Sequence, residues 1–184
     1  MSTAAALAPI GIIGLGNMGA PLAKNLFQSG HPIFCYDKDI SLVEKLCTDI
    51  PGIRKSASAS DLAKSVSTIV TVLPNDSALK SVVDEISHLH GIFHIGCSTV
   101  SPETSREVQN VHEASSGTYV SAPIFARPDG MSAMAATFVL SGKSCGVEKA
   151  KEILRHTSAH LFEFGNDAGV ANIVKLCGNF LIGR

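Results

Sequence analysis

What this sequence lacks narrows it first. Its 184 residues hold 15 Lys and Arg against 16 Asp and Glu, a formal net charge of -1. The charges are spread along the chain, so there is no basic stripe for nucleic acid and no acidic tail. No apolar run reaches the ~18 residues needed to cross a bilayer, which argues against a membrane protein. The first eight residues contain no Lys or Arg, unlike a secretory signal or a transit peptide, and are expected to be a flexible tail in a cytoplasmic protein. The five cysteines at 35, 47, 97, 145 and 177 form no C-x-x-C pair. They read as reduced, mostly buried thiols. His88, His90 and His94 lack the neighbouring Cys or carboxylate cluster of a metal centre, so no metal is expected. No internal repeat or low-complexity linker divides the chain, and its length suits one well-buried domain with a short appendage.

What is present is organised around residues 9–19, an apolar run that stops at a G-x-G-x-x-G, Gly14-Leu15-Gly16-Asn17-Met18-Gly19, and continues into a helical stretch from Ala20 to Leu26. This reads as strand, tight turn, helix. Gly14 permits the sharp turn, Gly16 keeps the backbone bare where a diphosphate would approach, and Gly19 allows close helix–strand packing. Amides at the helix start then face the phosphate charge. Such a motif alone also fits a purely structural turn. Its context favours a dinucleotide site: Gly30 is placed to end the helix, a second apolar strand follows over 32–36, and Asp37 stands 23 positions after Gly14. That is close to the ~20-residue offset of a carboxylate that accepts ribose hydroxyls. Asp37 favours the unphosphorylated ribose of NAD, whereas Lys38 could accept the 2′-phosphate of NADP.

Strand-like and helix-like stretches alternate thereafter, the signature of a Rossmann-like, doubly wound α/β fold with a mostly parallel sheet. Helices are expected over 40–46, 60–64, 76–88, 101–111 and 147–156. Strands are expected near 53–55 and over 68–73, 91–96, 118–122, 137–142 and 161–165, eight in all with the first two. The stretch 123–130 reads as a loop. Because ligands of such sheets lie beyond the carboxyl ends of the strands, Leu73, Pro74 and Asn75 are placed beside the cofactor. Pro74 and Asn75 are equally good as a strand stop and a helix cap. Ser98 and Thr99 fall at another strand end, where hydroxyls could serve the nicotinamide, a substrate carboxylate or a plain turn. The final segment, 167–184, is a helix apolar on more than one face, expected to pack against something. Lys175 and Asn179 are neighbours on it, with Asn172 one turn earlier. Read alone, Lys175 is a solvated surface charge.

Four stretches in this order resemble the cofactor-binding half of the β-hydroxyacid dehydrogenase family: Gly14 to Gly19, Leu73-Pro74-Asn75-Asp76, Cys97 to Ser105, and Gly169 through Lys175 to Asn179. The resemblance implies reversible hydride transfer between NAD or NADP and a small carboxylate-bearing hydroxyacid or semialdehyde. It makes Lys175 the group that exchanges a proton with the substrate oxygen and Asn179 its companion, with Ser98 and Thr99 lining the cleft. It also implies a dinucleotide-binding unit over 9–165, an interdomain helix over 166–184 truncated before a helical substrate domain, and a homo-oligomer. The chain departs from the pattern in two places. Phe125-Ala126-Arg127 replaces the usual Ser-Gly-Gly substrate loop, so Arg127 either grips a substrate carboxylate or caps a strand end, and Gly96 stands where an Asp commonly precedes the Ser-Thr pair. A catalytically silent dinucleotide-binding module and an imine or carbonyl reductase remain alternatives.

Overall fold

Strand β1 (Ile10–Ile13) is apolar, wholly buried and flanked on both sides by parallel strands, which is how a run without polar alternation reads when both faces are covered. The computed structural model describes residues 7–183. On one side of β1 lie β2 (Ile33–Tyr36) and then β3 (Arg54–Lys55), and on the other β4 (Thr68–Thr71), β5 (Phe93–Gly96) and β6 (Thr118–Ser121), all parallel. The resulting order 3-2-1-4-5-6 reverses direction between β1 and β4, the crevice where doubly wound folds bind their ligands. The sheet ends in β8 (Ala136–Gly142), antiparallel to β6 and to the two-residue β7 (Ile124–Phe125), and β9 (Ser158–Glu163), parallel to β8 along the outer edge.

Helices α1 (Gly19–Gln28), α2 (Ile40–Asp49), α3 (Ala59–Ser65), α4 (Asp76–Ile86), α5 (Pro102–Ala114) and α7 (Ser144–Leu154) occupy the crossovers. Four start on side-chain caps: Asp39, Ser58, Asn75 and Ser101 each accept an amide of the first turn. Pro102 follows Ser101 at the first helical position, where its missing N–H costs nothing. The helix α1 ends at Ser29, and Gly30 with φ +99° turns the chain back, as the sequence suggested.

The differences from expectation cluster in the last third. Among the described residues there are nine strands, not eight, because Ile124–Phe125 pairs with Thr137 and Phe138 within what reads as a loop. A two-residue strand has no periodicity to detect. Pro128–Ser132 in the same loop forms the five-residue helix α6. The final strand starts at Ser158, three residues early, and its exposed Ala159 and His160 are the composition of an edge. Burial of the cysteines is also less complete than expected: Cys35 and Cys97 are buried, Cys47 is half-buried, and Cys145 and Cys177 are exposed. The tail expected over 1–8 falls, except for Leu7 and Ala8, outside the described residues. Of the three clustered histidines, His88 and His90 are exposed and His94 is buried on β5. Among the described residues no group of three His, Cys, Asp or Glu could hold a metal, and no helix is long and apolar enough to cross a membrane.

A buried polar chain runs beneath the strand ends. Thr71 Oγ1 is 2.8 Å from His94 Nε2, and His94 Nδ1 is 2.9 Å from His112 Nε2 on α5. Tyr119 on β6 lies edge-on to His94 and parallel to His112. Burial holds both imidazoles below their ordinary range, His112 at about 4, and for His94 the neighbouring His112 adds to the effect. The glycine at 96 has its explanation here: a Cβ on Gly96 would overlap the Tyr119 hydroxyl.

Candidate functional site

Helix α8 (Gly169–Leu181) brings the last of the expected residues to the sheet. Its first turn is moored to α5. Arg106 donates from Nε to Asp167 Oδ1 and from Nη2 to Oδ2, each at 3.0 Å, Gln109 accepts the Ala168 N–H, and a Cβ on Gly169 would meet the Arg106 guanidinium at 2.8 Å. One turn on, Asn172 is fully buried. Its Oδ1 accepts the Val100 N–H at 3.1 Å, and its amide donates to Ser105 Oγ and Ser121 Oγ at 2.8 Å each. Sequence reading placed Asn172 beside Lys175 but not in this role. The signal available was an amide on the otherwise small, apolar stretch that starts α8. Asn172→Ala strands a buried backbone donor and two hydroxyls, and is expected to cost about 3 kcal/mol, read as a lower urea midpoint at unchanged m-value.

The glycine turn shows three different uses of a missing side chain. Gly14 has φ +95° and abuts the Val72 carbonyl; Gly19 abuts the Gly14 carbonyl; around Gly16 a Cβ would meet nothing within 4 Å. The first two glycines are demanded by the fold, while the third leaves backbone bare to open space, a cradle in which a diphosphate could approach the α1 N-terminus. Asp37 at the end of β2 closes the turn: its Oδ2 accepts the Leu15 N–H at 2.6 Å and its Oδ1 the Asp39 N–H at 2.9 Å. Each oxygen keeps a lone pair for a further donor.

Two cavities follow the strand ends. One, of about 500 Å³, has Gly14, Gly16, Asn17, Met18, Gly19, Asp37 and Lys38 on its polar side and Tyr36, Leu42, Ala78 and Val82 on its apolar side. The second, of about 330 Å³, has Cys97, Ser98, Thr99, Lys175 and Asn179. Met18, Val72, Leu73 and Pro74 are common to both walls. A third hollow of about 240 Å³ touches Lys175 from the other side, among Phe125, Ala126, Arg127 and Ile182. The apolar group around Leu42 and Val82 was not singled out in the sequence, where inward positions on α2 and α4 look like ordinary core.

Most of the expected site residues are thus gathered, with two exceptions. Leu15 is buried and lines neither of the first two cavities. Asn75 caps α4, accepting the Ala78 N–H and the Ser77 hydroxyl, and lines neither. Ser98 is at the wall but holds it together, its Oγ accepting the Leu73 N–H at 2.8 Å, while Thr99 is exposed. Lys175 is no solvated surface charge: it is 9% exposed, with Nζ 4.0 Å from the centre of the Phe125 ring. Burial raises the Cys97 thiol far above its ordinary range, which leaves it neutral beside the lysine.

Comparison with known proteins places this geometry. The chain is 31% identical over 178 residues to an uncharacterized oxidoreductase, YfjR, of Bacillus subtilis, covering 94% of this chain and 62% of the relative. It is 30% identical over 179 residues to a 3-hydroxyisobutyrate dehydrogenase of Pseudomonas aeruginosa, covering 95% and 59%. The chain therefore spans about three-fifths of the length of these curated relatives. In fold it superposes on a Mycobacterium tuberculosis 3-hydroxyisobutyrate dehydrogenase, solved with L-serine, at a TM-score of 0.91 and 24% identity, covering 96% of this chain and 60% of that one. The model of the NAD binding domain of 6-phosphogluconate dehydrogenase matches residues 9–165, and the chain belongs to that family.

Proposed function

We propose that this chain seats a nicotinamide dinucleotide along the ends of β1, β4 and β5, NAD in preference to NADP, as the cofactor half of an oxidoreductase acting on a small hydroxyacid or semialdehyde. Residues 9–165 form its dinucleotide-binding unit, and 166–184 the helix between that unit and a substrate domain. The observation that carries this reading is the shared wall: Met18, Val72, Leu73 and Pro74 join a cavity bounded by bare Gly16 and Asp37 to one bounded by Lys175 and Asn179. A dinucleotide laid from Asp37 past Gly16 has its redox ring against Ser98, Thr99 and Lys175. The name of the Pseudomonas aeruginosa relative supports the same substrate class.

In this reading the bound nicotinamide supplies or receives the hydride. Asp37 accepts the ribose hydroxyls and repels a 2′-phosphate, and Lys38 stands exposed at the same rim. Lys175 gives a proton to the carbonyl oxygen in reduction and takes it back in oxidation. Asn179, one turn further on α8, orients the lysine or the substrate. Arg127 beside the third hollow pairs with the carboxylate. Free, buried Cys35 and Cys97 suit a reducing cytoplasm. Ile173, Leu176, Phe180 and Leu181 leave apolar side chains of α8 exposed, and Ile182 just beyond it adds another, which fits a homo-oligomer.

Calorimetric titration with NADH and NADPH tests the reading. NADH is expected to bind, and more tightly than NADPH. Asp37→Ser should weaken NADH about tenfold, ~1.4 kcal/mol, and narrow the difference between the two. Absence of binding to folded protein by either nucleotide overturns the proposal. Binding without turnover of hydroxyacids or semialdehydes, at a level that Lys175→Ala does not lower, points instead to a silent binding module.

A further inference from the structure

We propose that Phe125 is the positioning residue for Lys175: its ring, seated from β7 in the space left by Gly178, carries the lysine ammonium on its face and fixes it between two cavities. The proposal rests on the reading of Lys175 as the acid–base group and extends it to a residue that replaces the small loop of the resembled family.

Three observations converge on this contact. The Lys175 ammonium lies 4.0 Å from the centre of the Phe125 ring, well within the ~6 Å over which an aromatic face attracts a cation. A Cβ on Gly178 would stand 2.6 and 2.7 Å from two carbons of the same ring, so α8 carries glycine three residues after the lysine to admit it. The ring is also held from behind, because Phe125 pairs with Thr137 and Ile124 with Phe138 in the β7–β8 ladder. Strand, ring, glycine and lysine thus form one unit, and the short strand hidden in an apparent loop is the part that aims it.

The placement has a chemical consequence. Lys175 touches the 330 Å³ cavity that contains Ser98, Thr99 and Asn179 and the 240 Å³ hollow that contains Arg127. Phe125 lines only the second. Among the described residues of both walls, Arg127 is the one other charged side chain; Cys97 is a neutral thiol, and Ser98, Thr99 and Asn179 are uncharged. The ring face attracts the ammonium form of Lys175 and does nothing comparable for the free amine. Phe125 therefore keeps a proton on the lysine over a wider pH range, which is what a donor to a carbonyl oxygen requires, and holds the donor still relative to Arg127, the group placed to grip the carboxylate.

The test uses the chain as it stands and does not depend on turnover. Lysines are reductively methylated with ¹³C, and the Lys175 resonance, identified by its loss in Lys175→Arg, is titrated by NMR. Relative to the parent, Phe125→Leu is expected to lower the Lys175 midpoint by roughly half to one unit. Phe125→Trp should hold it within about 0.2 unit by the same ring-face attraction. Gly178→Ala, which displaces the ring without altering it, should move it as Phe125→Leu does. An unchanged midpoint in Phe125→Leu, or a Trp variant that behaves like Leu, overturns the proposal. In reductive assays of a competent form, the alkaline limb of kcat/KM should move down with the NMR midpoint while nucleotide affinity stays constant. A parent that binds no nucleotide or turns nothing over removes the acid–base reading alone, since the titration reports the lysine–ring contact directly.

Discussion

Alanine at Gly19 is expected to lower the thermal midpoint by about 10 °C, whereas alanine at Gly16, three residues away in the same motif, should move it by less than about 2 °C. At Gly19 a methyl group would overlap the Gly14 carbonyl oxygen, and that backbone is itself fixed by the Gly14 N–H donating to the Tyr36 carbonyl at 3.0 Å. No flexible side chain is there to give way, so β1 and α1 must separate. The cost falls at about 3 kcal/mol, the upper part of the overpacking range, and ~2–4 °C per kcal/mol for a chain of this size gives the expected shift. Gly16 lacks both the crowding and a positive φ, so alanine is accommodated there. Its effect should appear in ligand affinity: NADH binding is expected to weaken at least about tenfold, ~1.4 kcal/mol, because the methyl group occupies the approach to the backbone. Equal losses of stability at the two positions would show that Gly16 serves the fold, and would remove the main physical argument for a diphosphate at this turn.

Acid is expected to destabilise the protein well above the carboxylate range. In the unfolded chain His94 and His112 take up protons near ~6.5, while in the fold burial keeps both neutral below that, His112 down to about 4. Their folded affinity for protons is depressed, so the unfolded state binds more protons between the two values. Stability is therefore fully present above ~6.5 and lost as the pH falls towards 4. For His112 the gap of about 2.5 units, at ~1.4 kcal/mol each, is roughly 3–4 kcal/mol, and His94 adds in the same direction. Geometry reinforces the effect, because nitrogens 2.9 Å apart share one hydrogen and cannot both carry one. Urea unfolding between pH 7.5 and 5 isolates this contribution. Asp167, held below the carboxylate range by Arg106, and Asp76, held there by Ser101 and Thr104, stay ionised throughout. A flat stability profile across that interval would show that the imidazoles find a way to hold their protons inside.

Much of the fold was legible in the sequence because the central parallel strands β1, β4 and β5 are buried on both faces and sit in largely apolar runs, punctuated by Gly30, Pro74 and the caps Asn75 and Ser101. The order of glycines at 14, 16 and 19 also announced the turn, although only the structure separates the two that pack from the one that faces open space. Legibility failed where the chain leaves that pattern. Ile124–Phe125 pairs over two residues, and the polar beginning of β9 follows from its place at the edge. The candidate site was legible at its ends and obscure in its middle. Asp37 could be found by its offset from Gly14, yet its hydrogen bond to Leu15 could not. Lys175 looks like any helical lysine until Asn172, Arg106 and Phe125 are seen to hold α8 and its ammonium in place, and those contacts join residues 50 to 72 positions apart.

The crowding of residue 96 by the Tyr119 ring binds the history of two distant positions into one. A carboxylate at 96 and a phenol at 119 compete for a single volume, so an acid enters at 96 only when the phenol gives way. Chains of this lineage should sort into two kinds, those with an acid before the Ser-Thr pair and a slender residue on the neighbouring strand, and those like this one. Grafting the acid alone would produce a clash before it produced any chemistry.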